Sequence, residues 1–127
     1  MSWEIEGTDQ FVEWYRSLTE AENDSVDAVV EMLAEDGPNL GRPHVDTLEG
    51  SAIQNLKELR PPGAGKFLRI LFVFDPRHQA ILLLGGNKEG NWTKWYTAAI
   101  PAAEQLYDEY LNELKAEGIL GSDENTD

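Results

Sequence analysis

Residues 66–75 and 79–86 are two extended stretches rich in Ile, Leu, Val and Phe, joined by the turn Asp75-Pro76-Arg77-His78. Short runs of branched and aromatic residues separated by turn formers pair as strands, so this chain has to be built around an antiparallel hairpin. A third extended segment, 53–60, comes before the hairpin across Pro61-Pro62-Gly63-Ala64-Gly65. The three together predict an antiparallel meander with Phe72, Phe74, Ile81 and Leu83 in its core.

A sheet of this kind needs cover, and the flanking sequence supplies it. Trp3 and Ile5 alternate with Ser2, Glu4 and Glu6, the period of a half-buried strand, which Gly7 ends. Phe11, Trp14, Tyr15 and Leu18 recur at helical spacing over 9–18. Thr19-Glu20-Ala21-Glu22 then forms a capping box for a second helix carrying Val26, Val29, Val30 and Leu33, which stops at Gly37-Pro38. Residues 37–51 have the glycine and proline content of an irregular connection, and 86–91 form a loop. Pro101 starts the last helix, with Ala103, Leu106, Tyr110 and Leu114 as its stripe and Gly118 as its stop. The order is strand, two helices, a three-strand meander and a C-terminal helix. With the helices grouped on one side of the sheet, the class is α+β. A single domain is expected over 1–118, followed by an acidic, disordered tail over 119–127.

The formal net charge is -14, but eight of the ten Lys/Arg residues lie between Arg42 and Lys94, where eight basic side chains meet five acidic ones, a balance of +3. Residues 1–41 carry -10 and residues 95–127 carry -7. Charge acts locally over about a Debye length, roughly 10 Å, so a basic centre between acidic arms can still meet a polyanion. There is no cysteine and no apolar run near the length of a membrane span. The acidic start does not look like a signal peptide, so a cytoplasmic protein is expected.

Alternation in the first meander strand puts Leu56, Glu58 and Arg60 on one face and Asn55, Lys57 and Leu59 on the other. In the next strand Arg69 interrupts the apolar row Phe67, Leu71, Val73. An arginine there either snorkels to water or presents a rigid fork to a phosphate. Further on, Trp92, Trp95 and Tyr96 stand beside Lys88 and Lys94. They either stack bases next to phosphate contacts or anchor the last helix. No phosphate-binding glycine motif is present. His44 and His78 have neither triad partners nor zinc spacing.

Taken in order, Leu56-Lys57-Glu58-Leu59-Arg60, Lys66-Phe67-Leu68-Arg69-Ile70-Leu71, Leu82-Leu83-Leu84-Gly85-Gly86-Asn87-Lys88, Trp95-Tyr96 and Ile100-Pro101-Ala102-Ala103 resemble the RelE/HigB toxin family, in its phage-derived branch. The match spans about 48–114. The resemblance implies a RelE-like fold and a toxin that is silenced by a helix-turn-helix antitoxin and, when free, cuts mRNA on the ribosome without metal or cofactor. It places Arg69 on the phosphate oxygens, and Lys88 either there or beside the leaving oxygen. Glu58 would take the 2′-hydroxyl proton, Arg60 would orient Glu58 or the phosphate, and Tyr96 is the aromatic of the site. Lys57, Lys66, Trp92, Lys94 and Trp95 would contact the RNA. Two positions depart from the family pattern: Glu58 stands where the best-known members have a lysine, and Glu89 replaces a basic residue. The alternatives are a ParE-like gyrase inhibitor of the same fold, or a catalytically lost protein that only binds its antitoxin.

Overall fold

The computed structural model describes residues 2–75 and 77–118; the expected tail lies outside them. Along the chain come β1 (Glu4–Gly7), α1 (Asp9–Arg16), α2 (Glu20–Asp36), β2 (Val45–Thr47), β3 (Lys57–Leu59), β4 (Leu68–Asp75), β5 (Gln79–Asn87) and α3 (Trp92–Ala116). The strands form one sheet in the order β1-β5-β4-β3-β2, with β1 parallel to β5 and every other pair antiparallel. The hairpin that dominates the sequence is therefore the centre of the sheet.

Its central position explains why β4 and β5 are apolar on both faces. Leu68, Ile70 and Phe72 pack with Ala80 and Leu82 against Phe11, Val26, Val29 and Leu33 of α1 and α2. Leu71 and Val73 pack with Ile81 and Leu83 against Ala99 and Ala103 of α3. Helices thus lie on both faces of the sheet and not on one side as expected. Each large side chain buried this way contributes about 1.5–3 kcal/mol, so neither face can be left uncovered. Phe72, Ile81 and Leu83 are fully buried, and Phe74 is partly so.

The capping box at Thr19 and Glu22 forms as expected. Thr8 caps α1 and also donates through Oγ1 to the Leu83 carbonyl at 2.6 Å. That carbonyl sits where the β4–β5 register slips, Leu71 pairing with Leu84 and Phe72 with Leu82. The bulge thereby ties α1 to the sheet.

Three boundaries differ from the sequence expectation, and each affects the site. The connection expected to be irregular contains β2, which pairs with β3 through Val45–Leu59, Asp46–Glu58 and Thr47–Lys57. The first meander strand is only Lys57–Leu59, shorter than the expected 53–60. Finally, α3 begins at Trp92, capped by Asn91, which accepts from the Lys94 amide, and Pro101 lies inside it. The helix thus starts nine residues before Pro101, where the sequence expectation had put its first turn.

Gly85 and Gly86 let both helices close onto β5. A Cβ on Gly85 would stand 2.3 Å from the Trp14 ring, and one on Gly86 would stand 2.3 Å from Trp95 Nε1. Successive strand residues face opposite sides, so the two glycines seat one tryptophan on each face.

Candidate active site

Register brings the site together. β3 presents Glu58 between Asp46 of β2 and Leu71 of β4, while Arg69 of β4 lies opposite Gly86 of β5. On that face α3 lays Tyr96 over the strands. Glu58 is the node. It is only 2% exposed, and its Oε2 accepts from Arg60 Nε at 2.9 Å, with Arg60 Nη2 at 2.8 Å. Its Oε1 accepts a hydrogen bond from the Tyr96 hydroxyl and lies 3.8 Å from Arg69 Nε. A carboxylate so deeply buried needs such partners, since an unpaired buried charge costs several kcal/mol, on the order of 3–5.

Arg69 does not snorkel to water. Its Nη1 donates to the Lys66 and Leu68 carbonyls at 2.9 and 2.7 Å, and its buried Nε makes no hydrogen bond among the described residues. Arg69 does not line the cleft described below. Arg60 does line it, and its Nη2 also reaches Asp46 Oδ2 at 3.1 Å; Arg42 Nη2 approaches the same oxygen at 2.9 Å. A chain of alternating charge, Arg42, Asp46, Arg60, Glu58 and Arg69, therefore runs from surface to core.

Lys88 follows β5, its amide donating to the Phe67 carbonyl at 3.0 Å, and its Nζ lies 5.6 Å from the centre of the Trp92 ring. Burial lowers its pKa, and the positive charges of Arg69 and Arg60 lower it further against the pull of Glu58. Burial, together with the Glu58 hydrogen bond, pushes the Tyr96 phenol up to about 12. Burial opposes the charged form of Arg60, but the Glu58 and Asp46 carboxylates outweigh it and raise its pKa. Asp46 is lowered, with hydrogen bonds from Arg42 and the Thr47 amide and the charge of Arg60 overcoming its desolvation.

Glu58, Arg60, Lys88 and Tyr96 share one cleft of about 620 Å³ with Asp46, Leu48 and the outer face of α3. Trp92 stands on its rim, 59% exposed. Trp95, expected to contact RNA, packs on Gly86 and edge-on to Tyr96, with ring centroids 4.9 Å apart. Lys57, Lys66 and Lys94 do not line the cleft. Lys57 donates to Thr47 Oγ1 at 2.9 Å, Lys66 lies over the Phe67 ring, and Lys94 is on the exposed first turn of α3. His44 contributes its carbonyl to the Arg60 amide, and His78 stacks on Trp3.

Asp46 and its partner Arg42 are functional candidates that sequence reasoning missed, because the three-residue strand that holds Asp46 is too short to show a period. Glu104 was missed too. Its Oε2 accepts from Ser51 Oγ at 2.8 Å and the Ala52 amide at 2.6 Å, clipping the loop before β3 to α3. No helix of the described residues is long and apolar enough to cross a membrane, and no cluster of three or more potential metal ligands forms among them.

Residues 13–108 match the family described as phage derived protein Gp49-like (DUF891). The chain is 48% identical over 102 residues to the proposed toxin HigB3 of Mycobacterium tuberculosis, covering 80% of this chain and 88% of that protein. It is 48% identical over 99 residues to the proposed toxin HigB2 of the same organism, 77% of this chain but only 49% of HigB2, about half its length. Among solved structures, a mutant of Escherichia coli toxin RelE in the free state aligns with a TM-score of 0.55 at 11% identity, over 75% of this chain and 93% of that one. RelE in the archaeal RelE–RelB complex from Pyrococcus horikoshii aligns with a TM-score of 0.55 at 17% identity, over 71% and 99%. At these identities the two structures speak for the fold alone, and it is RelE-like. The chain belongs to the phage-derived Gp49-like family and is of the RelE/HigB toxin type.

Proposed function

We propose that this RelE/HigB-type toxin is a metal-independent endoribonuclease that cuts translated mRNA in the cleft around Glu58. One observation carries the reading: a buried carboxylate gathers Arg60, Arg69 and Tyr96, and Arg60, Tyr96 and Lys88 share one cleft with it. Those residue types match what intramolecular phosphodiester cleavage requires. The RNA 2′-hydroxyl oxygen attacks the adjacent phosphorus, the bond to the 5′-oxygen breaks, and the products are a 2′,3′-cyclic phosphate and a free 5′-hydroxyl.

Glu58 is too buried to meet the 2′-hydroxyl directly, and both its oxygens are occupied. Tyr96 touches the carboxylate and also lines the cleft, so the proton passes to the Tyr96 oxygen as Tyr96 gives its own to Glu58. Arg60 and Lys88 offset the charge that builds on the phosphate oxygens. Lys88, with its lowered pKa, gives a proton to the departing 5′-oxygen. Arg69 acts through Glu58 and makes no contact with the phosphate. Trp92, exposed on the rim, offers a face on which a base can stack. The silencing partner is a helix-turn-helix antitoxin whose binding covers this cleft.

The test is purified protein in a translating extract. Wild type cuts the message; Lys88→Ala slows cutting at least about 100-fold, the usual worth of one proton-transfer group. An intact message with wild type overturns the reading. A second reading has one observation in its favour: Glu58 and Asp46 already engage Arg60, so the cleft is largely self-neutralised. Tight antitoxin binding without cleavage or growth arrest is the result that reading requires.

A further inference from the structure

The wall that α3 gives the cleft changes character along its length. At one end Tyr96 faces Arg60 and Lys88; in the middle Ile100 meets Leu48 of the opposite wall; at the far end stands Glu104. These α3 residues lie on one stripe at steps of four. The eight residue steps from Tyr96 to Glu104 span about 12 Å at the helical rise. The order is cationic, then apolar, then anionic.

The anionic end is held in place. Both hydrogen bonds that Glu104 accepts, from Ser51 Oγ and the Ala52 amide, fall on Oε2, so Oε1 has no hydrogen-bond partner among the described residues, and Glu104 lines the cleft. Because the clip fixes the carboxylate, a ligand that meets it loses little to side-chain ordering.

A nucleotide has the complementary order: an anionic phosphate, an apolar base face and a polar base edge. Resting on the proposed cleavage site, we infer that the cleft is a nucleotide slot in which Glu104 selects a base carrying an exocyclic amino group and rejects uracil. Adenine, cytosine and guanine each turn an N–H₂ donor toward an acceptor placed at their Watson–Crick edge. Uracil turns two carbonyl oxygens there, flanking a single N–H, and a carboxylate repels them. Single-stranded RNA is read at this edge once its bases are splayed out. Glu104 is then the specificity determinant, and Glu58 and its partners serve the phosphate.

The test is isothermal titration of the full chain with adenosine, cytidine, guanosine and uridine 3′-monophosphates. The amino-bearing three bind about tenfold tighter than the uridine nucleotide, the scale of one well-placed base-edge contact. Glu104→Gln replaces the free acceptor by an amide and brings the ratio to about one or below. Ser51→Ala removes one hydrogen bond of the clip, leaves the carboxylate, and retains the preference. Equal affinity for all four nucleotides, no binding of any, or a preference that survives Glu104→Gln overturns the inference. Cleavage of messages is measured separately: a protein that binds with preference but cuts nothing refutes only the catalytic reading, and one that cuts without base preference refutes only the slot.

Discussion

Glu58→Gln is the perturbation that reaches furthest into this molecule. The substitution keeps shape and volume but removes the charge that balances Arg69, whose side chain is 11% exposed, and Arg60, at 32%. Removing one partner of a buried ion pair costs about 3–5 kcal/mol because the other charge stays buried. Arg60 reaches solvent and still has Asp46, so its share is the small one, below about 1 kcal/mol. The larger share falls on Arg69, whose Nε already lacks a hydrogen bond among the described residues. The lower end of the range applies, about 3 kcal/mol, which for a chain of this size lowers Tm by about 10 °C. Urea unfolding followed by far-UV circular dichroism, extrapolated to water, gives the number. Glu58→Leu combined with Arg69→Met supplies the control: with both charges gone, most of the loss returns. A single-variant loss under about 1 kcal/mol refutes the view that Glu58 holds the site by neutralising buried charge.

Other expectations follow from the same geometry. Gly86→Ala drives a Cβ into Trp95 and costs about 1–3 kcal/mol by overpacking, measured by the same unfolding assay, whereas Gly41→Ala, with nothing within 4 Å of its added Cβ, moves no neighbour. Because the Asp46 carboxyl is held below its usual range, its contribution to stability is present above the unfolded carboxylate value, about 4, and is lost as pH falls through the folded one. The stability gap between wild type and Asp46→Asn therefore closes on acidification, as pH-dependent unfolding will show. For Lys88 the sign is opposite in use: its pKa is lowered, so the ammonium is lost earlier as pH rises, and RNA affinity falls on the alkaline side. Lys88→Arg, which stays charged, keeps its affinity over that window in a filter-binding titration.

The hairpin, the capping box at Thr19 and the alternation of Glu58 and Arg60 with Lys57 and Leu59 were all legible in the chain, because each is a local pattern of period two or of caps. Placing the helices on the sheet's two faces depended on a different fact, that β4 and β5 are apolar on both sides and so need cover on each. Proline hid the start of α3. Pro101 looks like a first helical residue, yet the apolar and small residues Trp95, Ala99 and Ala103 already step by four toward it from the Asn91 cap. Reading that stripe would have put Trp95 against the sheet and Tyr96 over Glu58. The site itself was half visible. Arg60, Lys88 and Tyr96 line the cleft, whereas Arg69 does not line it and lies 3.8 Å from Glu58. Asp46 and Glu104 reach the cleft only through long-range pairing, which no local pattern announces.

The central claim is that the cleft performs 2′-hydroxyl attack on RNA. It is tested most directly by a message carrying a single 2′-O-methyl group on the nucleotide immediately 5′ to a mapped cut, added to translating ribosomes with the purified protein and a chelator of divalent ions outside the ribosome's own requirement. The account predicts cutting at every other site, with 5′-hydroxyl ends, and none at the methylated position. Cutting at that position, or fragments with 5′-phosphate ends, would contradict it.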